Sequence, residues 1–382
     1  MTVKSHVLCQ LGHAHRIVAP GPQDGVERAS DTTAHPVAHE KRLTPDDSIL
    51  RSFRGPSMPY DPSYHLLYRV DKVRAYVAAE HPDVLEIHSP YVAAVAALSC
   101  PSNTFGVRTF VWHSDFIDTY SAVLLKRMPK AMTDVLTAPL WAWVRRIAEG
   151  CGATFVAARF QKAKLDAHGV PRVVHLPFGV EKDVFSPARR DARAWRMELG
   201  LPEDAKVVLA IGRFAVEKRW DVVIDAFIEG ASEDAHLVVF GDGPEAARMR
   251  ARAAGNPRIR FMGFEKNRER LAMAMASSDV LLHGCPYETF GLGVAEALAT
   301  GLSAVLPDQG GAGEWAHLGS VRSYPSLDVG ACARALRGLL QEDAHARREQ
   351  GLAAAAEIPS VADHFRKLLS HYEALLSARP VG

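Results

Sequence analysis

The sequence predicts an α/β protein of two facing, Rossmann-like, doubly wound parallel-sheet domains with a cleft between them. Three observations carry this. Short apolar runs rich in β-branched residues alternate with helix-length segments through the second half of the chain, the pattern of repeated βαβ units. A second alternation of the same kind precedes it. A charged stretch, Ser186–Arg196 (SPARRDARAWR), separates the two. The expected boundaries are therefore residues 1–187 and 188–360, with a closing helix over 361–378 packing back on the first domain.

In the first domain, strands are expected at His15–Ala19, Val84–His88, Arg108–His113, Thr154–Ala157 and Val173–Pro177. A helix over Tyr64–Glu80 would carry Leu66, Val70, Val73 and Val77 on one apolar stripe. In the second domain, strands are expected at Val207–Ile211, Leu237–Phe240, Arg258–Met262, Asp279–Leu282 and Ala304–Leu306. Helices fall between them at Arg219–Glu229, Pro244–Ala254, Arg268–Ser277 and Gly291–Thr300. Further helices are expected at Leu327–Leu340 and Val361–Leu376. Two such domains place ligand groups at the carboxyl ends of their strands.

Composition narrows the function. The 382 residues include 45 basic and 44 acidic side chains, a balance that gives no reason to expect nucleic acid as a partner. Any anion site must be local. The five cysteines are scattered, without metal-ligand spacing or a disulfide framework, so a cytoplasmic location is expected. No signal peptide or membrane span is apparent. A peripheral contact with a membrane surface could come from Ala122–Ile147, which contains Leu124-Leu125-Lys126-Arg127-Met128 and the Trp141/Trp143 segment, since a basic, tryptophan-bearing helix suits a bilayer surface. Such a stripe is more often domain core.

The strongest chemical signal is Glu288-Thr-Phe-Gly-Leu-Gly-Val-Ala-Glu296, two carboxylates eight positions apart around a glycine-rich turn. The turn follows a strand and opens a helix. Backbone N–H groups around Phe290, Gly291, Leu292 and Gly293, with the helix dipole, suit a diphosphate. Glu288 falls ahead of the helix and Glu296 roughly a turn inside it, so one carboxylate can accept from sugar hydroxyls and the other from a ribose diol. An ordinary helix-start acid and a solvated glutamate would read the same way. Arg213 and Lys218 lie in a strand-to-helix loop after Gly212. Paired cations stabilise the charge that builds on a leaving diphosphate without a metal ion.

The segment Tyr287–Ala297 resembles the E-x7-E signature of the family-4 GT-B glycosyltransferases. Ile211-Gly-Arg-Phe214 with Glu217-Lys218 resembles that family's G-R-x-x-x-x-K element. Phe240-Gly-Asp-Gly-Pro244, Phe261-Met-Gly263-Phe264 and Asp308-Gln-Gly-Gly311 fall where the family has glycine turns, and Pro177-Phe-Gly-Val180 through Pro187 resembles its hinge. The resemblance spans about Val84 to Gly311. It implies retaining hexosyl transfer from a UDP- or GDP-linked sugar to a glycan, lipid or small-molecule acceptor, with no cofactor and no metal. It implies catalytic roles for Arg213, Lys218, Glu288 and His113. It implies donor binding by Gly212, Phe290, Gly291, Leu292, Gly293, Glu296, Gly263 and Phe264. His88, Ser89 and Asp115 are candidates for the acceptor side. The family normally opens with a strand and a glycine-rich loop. Here Met1–Ala14 reads as the tail of the first helix and His15–Pro20 as the second strand, so that first unit is expected to be missing or replaced.

Besides a cleft-closing epimerase or phosphorylase on the same scaffold, two other readings exist. One is a non-catalytic sugar-nucleotide binder. The other is an NAD-dependent oxidoreductase using Gly241, Gly243 and Ala246, with Glu265 about 20 positions on as the ribose contact. That fingerprint belongs on the first strand of its domain, however, and Val207–Ile211 precedes it.

Overall fold

A computed structural model describes residues 2–28, 48–58, 61–113, 117 and 128–378. The chain forms two compact units. One comprises Met1–Val156, Lys162–Leu176 and Phe365–Gly382, the other Ala157–Gln161 and Pro177–His364. The division thus falls at Pro177 rather than 187. Val180, Val184 and Phe185 are buried in the core of the second unit, and Val180 forms a parallel bridge with Ser360. Hydrophobic burial therefore ties the hinge segment to the second unit.

The second unit holds a six-stranded, all-parallel sheet in the order Ile259–Gly263, Ala235–Phe240, Lys206–Ile211, Val280–Leu282, Ser303–Pro307, Val321–Tyr324. Its strands are apolar almost throughout because both faces are covered. Val207 and Leu209 enter one core cluster while Val208 and Ala210 enter the other, as the two-residue repeat of a strand requires. Each of the valine and leucine side chains contributes roughly 1.5–3 kcal/mol on full burial. The chain starts in the middle with Lys206–Ile211, winds outward to Ile259–Gly263, then returns to Val280–Leu282 and winds the other way. The reversal creates a topological switch point between the two central strands.

The first unit has a four-stranded parallel sheet in the order Val84–Ile87, Val107–Trp112, Ala153–Val156, Val173–His175. It also has a separate three-stranded sheet, His15–Gly21, Ser48–Arg54 and Gly25–Arg28, whose last two strands are antiparallel, and a short ribbon, Ser57–Met58 with Asp61–His65. The expected helix over Tyr64–Glu80 is shorter, Val70–Glu80. The ribbon takes residues up to His65, so Leu66 is exposed, whereas Val73 and Val77 are buried as the stripe required.

The helix Lys130–Glu149 divides the expected membrane stripe in two. Trp141 and Val144 are buried, and Trp143 donates through Nε1 to the Pro90 carbonyl at 2.6 Å, so the tryptophan half is core. Its exposed apolar residues lie earlier, at Met132, Val135, Leu136 and Leu140. Leu124–Arg127 fall outside the described residues. Among those described, no helix is long and apolar enough to cross a membrane.

Candidate active site

The loops leaving the two strands at the switch point converge. After Ile211 the chain runs through Gly212 and exposed Arg213 into a 3₁₀ turn, Val216–Lys218. Trp220 anchors this loop by donating Nε1 to the Arg213 carbonyl at 2.9 Å. After Leu282 the chain runs through His283 and Cys285 to Glu288. Lys218 Nζ then donates to Glu288 Oε1 at 2.6 Å across 70 residues of sequence.

Two glycine turns make this convergence possible. A Cβ on Gly241 would collide with the Gly212 carbonyl, and one on Gly243 with the backbone of Phe214. On the other side, Gly310 and Gly311 lie against the backbone of Pro286, Glu288 and Phe290, and the Gly311 N–H donates to the Glu288 carbonyl at 2.6 Å. Gly241 and Gly243 are thus filled by a neighbouring loop rather than left open for a dinucleotide. They follow the second strand of the unit, and Glu265 is held by Arg270. The oxidoreductase reading fails on these contacts.

Burial on its own would raise the Glu288 carboxyl, but the adjacent His283 ring and the Lys218 ammonium bring it down to about 2. Burial correspondingly opposes the charge on Lys218, and Glu288 outweighs it, leaving the ammonium raised. Both groups are therefore ionised at neutral pH. His283 Nε2 lies 3.3 Å from Glu288 Oε1 but fails the geometry of a hydrogen bond, so the contact is electrostatic. His283, Cys285 and Glu288 bring three ligand-type atoms within 4.8 Å. Lys218 occupies the carboxylate among them, and burial pushes the Cys285 thiol up to about 12.

Glu296 sits in the helix Leu292–Ala299, whose N-cap, Gly291, has φ of 77°, a left-handed value that favours glycine. Arg268 bridges Glu296, at 3.4 Å, and Glu181. Burial drives the Glu296 carboxyl up to about 7, Arg268 opposing and Glu181 reinforcing the rise. Phe290 is buried against Phe178 and Trp315, so only its backbone can meet a ligand. Leu292 and Gly293 lie exposed in the first turn of the helix, and Phe264 is exposed just past Gly263 at the end of its strand.

In the first unit, His113 follows the strand Val107–Trp112 and His88 follows Val84–Ile87. His88 Nδ1 lies 2.5 Å from His113 Nε2, and His88 Nε2 lies 2.7 Å from Glu86 Oε2. The ring centroids are 4.8 Å apart with planes inclined by 13°. The excess over the N···N distance is about that of two ring radii, so the imidazoles meet edge to edge rather than face to face. Lys4 and Tyr372 also bond Glu86. Burial would raise this carboxyl, yet Lys4 and His88 hold it well below the usual range. Burial, then the charges of His88 and Lys4, pull His113 down to about 4, although its exposed edge moderates that pull. Ser89 lies beside His88, with its hydroxyl 3.4 Å from the Tyr91 N–H. Asp115 lies outside the described residues.

Comparison with known proteins agrees with this architecture. The family described as "Glycosyltransferase Family 4" matches residues 5–184 and that described as "Glycosyl transferases group 1" matches residues 191–355. The chain is 30% identical to a GDP-mannose-dependent alpha-mannosyltransferase of Mycobacterium tuberculosis (strain CDC 1551 / Oshkosh), over 97% of this chain and 91% of that protein. The chain belongs to the family-4, group 1 glycosyltransferases. This glycosyltransferase is also 29% identical to a GDP-mannose-dependent alpha-(1-6)-phosphatidylinositol dimannoside mannosyltransferase of M. tuberculosis (strain ATCC 25177 / H37Ra), over 85% of this chain and 76% of that one. Its GT-B fold is shared with sucrose-phosphate synthase from Thermosynechococcus elongatus, at a TM-score of 0.75, 18% identity and coverage of 98% and 92%.

The local motifs thus mark the loops of this glycosyltransferase, while their partners come from topology. His283, Cys285, Arg268, Glu181 and Glu86 escape the motif reading. His283 ends a strand as His113 does, and that position is the one signal that could have flagged it.

The raised Glu296 carboxyl predicts a cost in stability. The unfolded chain ionises this group near pH 4.3, the folded chain only near 7. Its stabilising proton is therefore fully in place below the unfolded value and is lost as pH rises through about 7. Glu296→Gln should accordingly be more stable than wild type at pH 8, by about 1–3 kcal/mol. That advantage should shrink below pH 7 and vanish near pH 4.5, as followed by thermal unfolding. An unchanged Tm difference across this range would contradict the assignment.

Proposed function

We propose that this glycosyltransferase transfers mannose from GDP-mannose to a glycolipid acceptor, with retention of anomeric configuration and without a divalent ion. The carrying observation is the Lys218–Glu288 pair at the switch point, 2.6 Å long, beside Gly212 and Arg213. In this reading Lys218 and Arg213 receive the diphosphate, Arg as a fork and Lys as a point charge. The helix-start amides of Leu292 and Gly293 add donors. Glu288 accepts from hexose hydroxyls and Glu296 from the ribose diol, with Gly263 and Phe264 beside the base. The names of the two mycobacterial relatives support mannose and GDP, and one of them supports a lipid-linked acceptor.

The chemistry of these groups supports retention. Cations on the leaving diphosphate stabilise charge as the glycosidic bond breaks, and Glu288 is tied to Lys218 rather than free to act as a nucleophile. The acceptor then attacks from the leaving-group face, with a donor phosphate oxygen taking its proton. The α linkage of mannose in GDP-mannose and the word "alpha" in the relatives' names support the same outcome. In this reading His113, His88 and Ser89 of the first unit serve recognition of the sugar and the acceptor.

Incubation with GDP-mannose and a phosphatidylinositol mannoside should yield an α-linked product, by proton NMR of the anomeric centre, at an unchanged rate in EDTA. A β-linked product, or activity abolished by EDTA and restored by manganese, would overturn the reading.

A glycolipid acceptor calls for contact with a bilayer, and the exposed Met132, Val135, Leu136 and Leu140 on one stretch of helix suit it. The protein should co-sediment with vesicles containing phosphatidylinositol, and Val135→Asp with Leu136→Asp should abolish this while sparing transfer to a soluble acceptor. Co-sedimentation by the variant equal to wild type would exclude this helix.

A further inference from the structure

Sugar transfer as proposed uses Glu288 and leaves His283 and Cys285 beside it without a task. The three stand in a short segment, His283-x-Cys285-x-x-Glu288, that follows the strand Val280–Leu282. Packing fixes this segment. The Tyr324 hydroxyl donates to the His283 carbonyl at 2.9 Å, and a Cβ on Gly284 would collide with the Arg219 carbonyl, so the segment is pressed against the loop that bears Lys218. His283 is only 8% exposed, and its Nε2 is buried with no hydrogen-bond partner among the described residues. An imidazole nitrogen left in that state is costly, and a bound ion or water is what completes it. Its neighbour is Glu288 Oε1, 3.3 Å away. Two atoms bonded to one tetrahedral zinc ion at about 2.0–2.2 Å lie about 3.4 Å apart. The pair thus has the spacing of co-ligands where it lacks the geometry of a hydrogen bond. Cys285 Sγ stands within 4.8 Å of both. A side-chain rotation that closes this by no more than about 1.3 Å gives the ~3.5 Å expected of a zinc-bound sulfur.

We propose that His283, Cys285 and Glu288 form a site for a zinc ion that inhibits the enzyme. The donor set selects the metal. One imidazole nitrogen, one sulfur and one carboxylate suit zinc, whereas magnesium and calcium take oxygen ligands. Zinc bonds to His283 Nε2, Cys285 Sγ and a Glu288 oxygen, and a water fills the fourth position. The thiol is deprotonated by coordination, and its proton passes to solvent. Thiolate and carboxylate then balance the two charges of the ion. Lys218 gives up Oε1 because the ammonium and the ion repel each other, and its side chain, 23% exposed, turns outward. What is lost is the Lys218–Glu288 pair. The ion is therefore an inhibitor and not a cofactor, compatible with transfer that needs no divalent ion. The inhibition rests on the role proposed for that pair; the zinc site does not.

The test uses the full-length enzyme, freed of metal by a chelator and titrated with cobalt(II), which enters tetrahedral zinc sites and colours them. Wild type should develop a thiolate-to-cobalt charge-transfer band in the near ultraviolet together with intense visible bands. Zinc should bleach both, and magnesium should leave them unchanged. Cys285→Ser should lose the charge-transfer band although Cys9, Cys100, Cys151 and Cys332 remain. His283→Gln should lose the tetrahedral intensity. Saturating zinc should lower wild-type turnover about 100-fold, the order of effect of withdrawing a group that meets developing charge. The Cys285→Ser enzyme should keep, with zinc, the rate it has without. Thermal melts establish that each variant is folded, and Cys285→Ala serves if serine unsettles the buried position.

A wild type that shows no charge-transfer band, or a band that survives in the folded Cys285 variant, would overturn the proposal. So would undiminished turnover with the site loaded. A wild-type enzyme that transfers no sugar at all would count against the proposed function alone, and the cobalt spectra would still decide the metal site.

Discussion

One ion pair organises the second unit. Lys218 and Glu288 come from loops that follow the two strands on either side of the switch point, and each is largely withdrawn from water, at 23% and 17% side-chain exposure. Removing one member of such a pair leaves an uncompensated charge, at a cost of about 3–5 kcal/mol. The surrounding sequence is arranged so that the two can meet. Gly241 and Gly243 let one turn lie on the backbone of the Gly212–Phe214 loop, and Gly310 and Gly311 let another lie under the Pro286–Phe290 loop. The glycine motifs are therefore packing devices between loops. They bring a cation and a carboxylate to one place at the carboxyl edge of a parallel sheet, where an anionic ligand and its sugar can be held together.

The first unit solves a different problem with related means. Its strand-end imidazoles are anchored through a buried carboxylate, Glu86, which is in turn held by Lys4 from the first helix and Tyr372 from the last. The closing helix Val361–Ser377 thus reaches back across nearly the whole chain to fix one oxygen of one side chain. Glu296 shows the opposite balance. Its carboxyl is raised to about 7 by burial, with Arg268 opposing the rise. Stability is lower there than the fold alone would need, as is usual where a protein meets its ligand.

Much of the second unit was legible because its strands are buried on both faces and its helices are amphipathic. The helix Arg268–Ser277 has the bounds its pattern predicts, and five of the six strands stand out as apolar runs. The sixth, Val321–Tyr324, reads VRSY and carries no such run. In the first unit, Gly25–Arg28 and Ser48–Arg54 mix polar and apolar residues and pair outside the main sheet, so no period betrayed them. The site divided along similar lines. Arg213, Lys218, Glu288 and Glu296 announced themselves through local spacing. Their partners Arg268, Glu181 and His283, and Glu86 behind His88, are set by which strands become neighbours, and sequence spacing carries no record of that.

The central claim is that the Lys218–Glu288 pair marks the diphosphate position, and the preference for GDP over GMP tests it most directly. Calorimetry should compare both nucleotides with wild type and with the Lys218→Met, Glu288→Gln double variant, which keeps the local charge balanced. The account predicts that wild type binds GDP at least about tenfold more tightly than GMP, one charge-assisted contact of about 1.4 kcal/mol or more. The double variant should lose most of that preference while binding GMP as before. An unchanged preference, or an equal loss for both nucleotides, would place the diphosphate elsewhere.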